Sequence, residues 1–174
     1  GYQFTSFDKV TSITIEEGVE TIGERAFYNS RLLEEIVIPT SVTSIGHGAL
    51  MKCIAIKSIT IPFVGDSIKT NDAEVKYPLG YIFGDIGNNT DTDNDLCYSQ
   101  KYEGNSWTFY DVPLTLESVT VTGGNILTNG FFGLKIKNLV IGDGVKYIYQ
   151  DGLRGLNAIE SLTIPFVGYA KSSE

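Results

Sequence analysis

The sequence IKSITIPFVG, at residues 56–65, returns as IESLTIPFVG at residues 159–168. The two copies differ only at their second and fourth positions. A match of this length inside one chain indicates internal repetition, which decides the architecture before any local feature does. The chain is therefore predicted to consist of copies of one structural unit.

A period of 23 residues extends outward from this repeat. Residues 10–32 (VTSITIEEGVETIGERAFYNSRL) align with residues 33–55 (LEEIVIPTSVTSIGHGALMKCIA) at that offset. Further units are predicted to begin at residue 56, to span residues 116–135 in shortened form, to span residues 136–158, and to begin again at residue 159. The shortened unit lacks the I-G-x-x-A-F half of the pattern.

Each unit is predicted to form two short strands and a turn. Alternating apolar and small polar residues, as in SITI, are typical of a half-buried strand, and Pro or Gly after it interrupts the strand. The segment around Ala26 and Phe27 is too short for an α-helix and predicts a 3₁₀ turn. Units of this kind bury their apolar side only by stacking, with strands about 4.8 Å apart. The predicted fold is a mainly β repeat protein, a right-handed β-solenoid with ~23-residue coils, short 3₁₀ turns and one irregular insertion.

The repeated pattern L-x-x-I-x-I-P-x-x-V-x-x-I-G-x-x-A-F resembles the BspA-like leucine-rich repeats of bacterial cell-surface proteins. The resemblance covers residues 10–158 apart from the interruption and is strongest in residues 10–62. It implies a leucine-rich-repeat solenoid, secretion, attachment to the cell surface, and adhesion to host proteins or other cells. The family has no shared catalytic motif to transfer to this chain.

A single leucine-rich-repeat domain is predicted over residues 1–174, with regular coils at 10–63 and 114–168 and an insertion at 64–113. Residues 79–84 are predicted to replace the turn of the third unit. The chain begins without an initiator Met or an apolar leader, so we expect it to be a fragment of a longer protein.

Aromatic side chains are concentrated in the second part of the insertion: Tyr98, Tyr102, Trp107, Phe109 and Tyr110. Rings on a loop suit a partner interface, but they also suit packing of the insertion onto its own solenoid. The second reading is favoured, and the first is retained as a candidate partner-binding site.

The acidic sequence D-x-D-x-D, formed by Asp91, Asp93 and Asp95, is a weak candidate for a calcium site. An EF-hand loop needs Gly at its sixth position and Glu at its twelfth, whereas this chain has Leu96 and Tyr102. A solvated acidic turn is therefore favoured, and no cofactor is predicted.

The first strand of each unit also predicts two rows on the outer surface of the sheet. One row consists of Thr14, Val37, Thr60, Thr120, Val140 and Thr163, and the other of Ser12, Glu35, Ser58, Ser118, Asn138 and Ser161. The rows could form a flat docking surface for a protein or glycan. Strand propensity alone explains them as well, and is favoured because the rows contain no Trp, Tyr or Arg.

Composition excludes several classes of function. A net charge of −8 opposes nucleic-acid binding, which requires a basic patch, and no apolar run reaches the 18 residues of a membrane span.

Cys53 and Cys97 could form one disulfide, although two thiols are favoured. His47, the single histidine, replaces Glu24 of the preceding unit and is predicted to point outward, with no assignable nucleophile. No enzyme is predicted.

Two functions remain. The first is a secreted, non-catalytic surface module that binds proteins or glycans of host or neighbouring cells. The alternative is a structural spacer or surface-layer element without its own ligand.

Overall fold

The part of the chain that the structure describes contains nine β-strands and one 3₁₀ helix, joined by turns, and no α-helix. The structure is a computed structural model and describes residues 7–68, 77–85, 96–103, 107–126 and 128–167, with only the backbone at 101–103 and 107. The strands are β1 (Thr21–Ile22), β2 (Glu35–Val37), β3 (Ser44–Ile45), β4 (Ser58–Ile61), β5 (Cys97–Glu103), β6 (Trp107–Pro113), β7 (Ser118–Val121), β8 (Asn138–Ile141) and β9 (Ser161–Thr163), and the 3₁₀ helix η1 is Leu79–Phe83.

The main sheet is parallel and has the order β2-β4-β7-β8-β9. Thr14 extends it by one parallel bridge to Val37. Every pairing joins equivalent positions of successive units, as in Ile36 with Ile59 and Ile59 with Val119. This register produces the predicted β-solenoid, in about five turns. We number the coils 1 to 6 from residues 10, 33, 56, 116, 136 and 159.

The other sides of each coil also stack on those of the next. Strands β1 and β3 pair in parallel on the second side, and Ile126 forms a parallel bridge to Ile148 farther along the stack. On the third side, turn amides donate to carbonyls of the following turn, for example Phe27 N to Ala49 O at 2.8 Å. The backbone N–H and C=O groups thus form their hydrogen bonds between successive coils instead of within helices.

The core is one continuous column inside the coils. Ile36, Ile59, Val119 and Leu139 occupy the same row and are at most 1 % exposed. Large aromatic rings, Phe63, Phe83 and Phe131, fill the corners and the turn side. Burial of such rows is the main favourable term that holds short strands in place, because each buried aliphatic side chain contributes about 1.5–3 kcal/mol.

The insertion leaves the main sheet uninterrupted. β4 pairs directly with β7 over four residues, from Ser58–Ser118 to Ile61–Val121. Within the insertion, η1 lies in the turn stack, where Gly48 N and Leu50 N donate to Tyr81 O and Ile82 O. Strands β5 and β6 then form an antiparallel hairpin that contacts η1 through β6. Thus η1 and the hairpin lie on the turn side, whereas Ser67 bridges Ser44 of β3 on the second side, and none of these described segments enters the main sheet.

The shortened coil 4 closes despite lacking the I-G-x-x-A-F letters. Its turn runs through residues 128–133, and Asn129 N donates to Asp151 O of coil 5 at 3.2 Å. Phe131 is fully buried in that turn. A different sequence thus provides the same apolar anchor.

Candidate binding surfaces

The outer sheet face, which we define by the two rows named above, is accessible as the alternation predicts. Strand β2 has the burial order exposed, buried, exposed, and Val37 and Val140 are 51 % and 38 % exposed. Neighbouring strands also interact across the face, since Asn138 Nδ2 donates to Ser118 Oγ at 3.1 Å. The face is therefore a ladder of small side chains, with Glu35 as its one ionic group among the twelve positions.

A line of alternating charge borders this face, one residue before each member of the outer row that contains Ser58 and Ser118. It consists of Glu34, Lys57, Glu117, Lys137 and Glu160, in coils 2 to 6. Lys57 Nζ lies 2.9 Å from Glu34 Oε1, and Lys137 Nζ lies 2.6 Å from Glu117 Oε1. The hydrogen bond to Glu117, then the charges of Glu117 and Glu160, raises the pKa of Lys137. Exposed pairs contribute little stability, but their alternation sets a fixed charge pattern along one edge. The sequence analysis did not predict this line, although the alternation of charge sign at equivalent positions of the repeats is visible in the sequence.

Gln100 connects the hairpin to the solenoid through side-chain hydrogen bonds. Its side chain is fully buried, and its Oε1 accepts from Gly80 N of η1 at 2.6 Å. Its Nε2 donates to Phe132 O at 3.0 Å and to Gly130 O at 3.4 Å in coil 4. One amide thus joins coils 3 and 4, and nothing in the sequence around position 100 distinguishes it from a solvent-facing glutamine.

Tyr98 and Tyr110 of the hairpin pack inward. The Tyr98 hydroxyl accepts from Lys135 N at 2.9 Å, and burial raises the pKa of Tyr98 to about 12, against a smaller lowering by that hydrogen bond. Tyr110 is 2 % exposed and lies where a Cβ on Gly80 would overlap it. These two rings therefore pack in the contact between the hairpin and the solenoid.

The other predicted aromatics differ in their placement. Phe109 is 43 % exposed on the hairpin. Tyr102 pairs with Thr108 and Trp107 with Glu103 in the backbone register, and their side chains lie outside the described residues. Phe109 is thus the aromatic side chain of the predicted set that the structure shows open to solvent.

A tyrosine–histidine cluster, which we define as His47, Tyr77, Tyr81, Asp85 and Tyr110, lies where coil 2 meets the insertion. The His47 ring contacts Tyr81 edge-on, with centroids 5.2 Å apart, and His47 Nε2 lies 3.6 Å from Asp85 Oδ1. The Tyr77 and Tyr81 rings are 4.3 Å apart.

Burial raises the pKa of Tyr81, and the charges of Asp66, Tyr77 and Glu24 add to that effect. The predicted outward position of His47 is thus partly covered by the insertion, because Tyr81 and Asp85 both come from residues 77–85. In the described part of the chain, the His47 ring contacts Tyr81, Tyr110 and Asp85, and none of these contacts is with a serine or cysteine nucleophile.

The cysteines are thiols in the structure, and the metal candidate lies in residues that the structure does not describe. Cys53 and Cys97 are not disulfide bonded. Cys53 is buried with its Sγ 3.2 Å from Phe27 O, and burial raises its pKa to about 12 against smaller effects of hydrogen bonds to Ser30. Asp91, Asp93 and Asp95 lie outside the described residues, and the described residues contain no group of three or more His, Cys, Asp or Glu placed to hold a metal.

Comparison with known families agrees with the 23-residue ladder. A model of the BspA type leucine rich repeat region matches residues 1–74, with six copies. The matched residues make up less than half of the chain and contain coils 1 and 2 and the first strand of coil 3. No curated protein and no solved structure shows significant similarity to the chain. Coils 4 to 6, beyond the matched residues, continue the same sheet in the same register.

The leucine-rich-repeat region indicates a protein-interaction or surface repeat module. Solenoids of this kind are generally non-catalytic binding scaffolds, and BspA-type repeats are typically surface-associated. Among the residues that the structure describes, no helix has the length and apolarity needed to span a bilayer.

Proposed function

We propose that this protein is a non-catalytic adhesion module, displayed outside a bacterial cell, that binds a protein or glycan of host or neighbouring cells through its outer sheet face. The observation that carries the proposal is the continuity of that face. β4 and β7 pair in full register across the long insertion, so the face runs unbroken from Thr14 to Thr163.

The placement of the insertion supports the same choice of surface. Tyr98 and Tyr110 are used in packing, which leaves fewer hairpin rings for a partner. The sheet face, by contrast, presents hydroxyl groups and methyl groups at a regular spacing of about 4.8 Å. A surface of this kind fits an extended partner, because hydrogen-bond donors and acceptors recur with every coil. The alternating charges of Glu34, Lys57, Glu117, Lys137 and Glu160 would fix the orientation of such a partner.

Binding of the labelled chain to a panel of immobilised extracellular-matrix proteins, glycans and intact cells tests the proposal. The double variant Thr60→Arg/Thr120→Arg places two long cations in the centre of the face. We expect at least a tenfold loss of affinity for any ligand that the unmodified chain retains, which corresponds to about 1.4 kcal/mol.

Phe109→Ala is the matched control, because it removes the exposed ring of the hairpin and leaves the sheet intact. Its affinity should equal that of the unmodified chain, and both variants should keep its melting temperature. Loss of binding in Phe109→Ala, with normal binding in the double arginine variant, would move the contact to the insertion. Absence of binding to every panel member would contradict the adhesion proposal and favour the spacer.

A further inference from the structure

In the described part of the chain, strand β5 has a neighbouring strand along only one of its two edges. It forms a two-stranded sheet with β6. The far edge of β6 is also paired, because Asp111 N donates to Gly84 O at 2.9 Å and Tyr110 bridges Asp85. No strand or bridge among the described residues pairs with the outer edge of β5, although this strand is seven residues long. Such an edge is a template for an added strand.

The register shows which backbone groups of β5 face this outer edge. In an antiparallel pair, residues that exchange hydrogen bonds alternate with residues whose N–H and C=O groups point away from the partner strand. Ser99 lies opposite Asp111, whose N–H points away from β5 to Gly84. Ser99, and Lys101 two residues later, therefore direct their backbone N–H and C=O groups to the outer edge. Ser99 is also exposed to solvent.

The outer edge of β5 faces along the stack towards coil 5. Strand β6 lies over coil 2 and η1, since the rings of Tyr110 and His47 have centroids 6.3 Å apart and β6 contacts η1. Strand β5 lies one coil farther along, because Gln100 Nε2 donates to Phe132 O of coil 4 at 3.0 Å. A strand added to β5 would continue in the same direction and lie beside the turns of coils 4 and 5.

These two turns leave room for another backbone. They pack closely on each other, since a Cβ on Gly155 of coil 5 would lie 3.0 Å from the Phe132 ring. Gly133 of coil 4, by contrast, is exposed, and a Cβ built on it would meet nothing within 4 Å. A glycine with open space beside it permits close approach of a partner's main chain.

Two cations stand beside this space. Lys135 is exposed, and its Nζ lies 5.0 Å from the centroid of the Tyr98 ring. Arg154 Cζ lies 5.4 Å from the centroid of the Phe132 ring. The Arg154 side chain is 59 % exposed even though Asp151 lies 3.9 Å away. The rings hold both cations against the turns and leave their charges accessible to a ligand.

We propose that the hairpin groove, which we define by Ser99, Gly133, Lys135 and Arg154, binds an extended acidic segment of a protein partner. The segment adds to the outer edge of β5 as a third strand, with hydrogen bonds to the backbone of Ser99 and Lys101. Main-chain hydrogen bonds supply affinity in this mode of recognition, and alternate side chains supply specificity. Lys135 and Arg154 select acidic side chains, in a chain whose net charge of −8 otherwise opposes the approach of acidic partners. This site is separate from the outer sheet face and goes beyond the function proposed for that face.

A labelled peptide of the length of β5, Thr-Glu-Val-Glu-Val-Glu-Thr with blocked ends, tests the proposal in fluorescence anisotropy with the whole chain. We expect saturable binding that is about tenfold tighter than that of the same peptide with Lys in place of Glu. Absence of saturable binding by the Glu peptide would overturn the proposal.

N-methylation of the peptide separates strand addition from binding by charge. Methyl groups at two alternate residues block one edge of the peptide, and methyl groups at the two residues next to them block the opposite edge. We expect one methylated peptide to bind about tenfold more weakly than the other, because only one edge pairs with β5. Equal affinities of the two peptides would show binding by charge alone and would overturn strand addition.

Variants of the chain locate the contact. Ser99→Pro removes an N–H that points to the outer edge and keeps the bonds between β5 and β6, as proline is tolerated on edge strands. Arg154→Glu reverses the charge of one groove cation. Each variant should bind the Glu peptide about tenfold more weakly than the unmodified chain. Circular dichroism identifies any variant that fails to fold, and the methylated peptides test the unmodified chain without any variant.

Lys146→Glu is the matched control for Arg154→Glu, because it makes the same change of charge at another exposed position of coil 5. It should bind the peptide like the unmodified chain in physiological salt, which screens distant charges. Equal losses in these two variants, or no loss in Arg154→Glu, would overturn the assignment of the groove. Thr60→Arg/Thr120→Arg should keep full affinity for the peptide, so this test and that of the sheet face can fail independently.

Discussion

Gly23 and Gly46 hold the same position in coils 1 and 2, yet their surroundings differ. A Cβ on Gly46 would overlap the backbone of Glu24 and lie 2.6 Å from Gly23 C, whereas a Cβ on Gly23 would meet nothing within 4 Å. Neither residue has a positive φ, so the difference is one of space alone. The close approach of two coils, not a turn, requires the second glycine.

Gly46→Ala should therefore destabilise the chain by about 1–3 kcal/mol, the usual cost of overpacking against a backbone that cannot yield. Gly23→Ala should change stability by less than about 1 kcal/mol, or raise it slightly by restricting the unfolded chain. Urea denaturation monitored by tyrosine and tryptophan fluorescence measures both. Equal losses in the two variants would show that the glycines serve a local conformation instead.

Cys53 is a thiol used as a small buried side chain. Ser30, its counterpart one coil earlier, is also fully buried, and both side chains donate to Phe27 O. Because burial raises the pKa of Cys53 from 9.0 to about 12, almost no thiolate forms near neutrality. The thiol should be inert although it is not disulfide bonded.

We expect a thiol-specific reagent at pH 8 to modify Cys97, which is partly exposed, and to reach Cys53 only after denaturation. The unfolded thiol ionises at lower pH than the folded one, so Cys53 contributes its full stability below about pH 9. That contribution declines as the pH rises from about 9 towards 12. Cys53→Ser should flatten this alkaline loss in urea titrations. Rapid labelling of both thiols in the native chain would contradict the expectation.

At the scale of elements, the hairpin β5–β6 depends on one buried amide. Gln100→Ala would leave Gly80 N and Phe132 O without their partner, and an unsatisfied buried group costs about 1–3 kcal/mol. We expect the variant to lose about 2 kcal/mol of stability in urea. Amide hydrogen exchange should also accelerate throughout the hairpin while the main sheet stays protected. Ser99→Ala, at the exposed neighbouring position, should change neither measurement.

The elements divide into those that the sequence predicts and those that it does not. The strands of the main sheet follow from the 23-residue period, because a period in a solenoid is also a strand register: residues 36, 59 and 119 had to stack once their units were aligned. The hairpin does not follow from it, since Gln100 acquires its role only through contacts with η1 and coil 4, far apart in sequence. The same holds for His47, which an isolated repeat leaves exposed and the insertion partly covers. Local pattern thus determines the coils, and non-local packing determines what is attached to them.

At the scale of the whole molecule, each coil contacts only its neighbours, so stability should be distributed along the stack and not concentrated at a centre. Among the described residues, coils in the middle have a neighbouring coil on both sides, whereas coils 1 and 6 have one on a single side. The exposed fractions of Leu139 and Leu162, 0 % and 46 %, show this difference for one row. Local opening should consequently begin at the ends.

Leu139→Ala and Leu162→Ala form a matched pair that measures this gradient, because the two leucines are equivalent and lie on paired strands. Leu139→Ala should cost about 2–5 kcal/mol, as for other buried leucines. Leu162→Ala should cost less than half as much in the monomeric chain, since much of its side chain is already hydrated. Hydrogen exchange should show the same order, with β4, β7 and β8 slowest and β9 fastest. A cost for Leu162→Ala that equals that of Leu139→Ala would contradict the gradient, since it would require Leu162 to be as fully buried as Leu139.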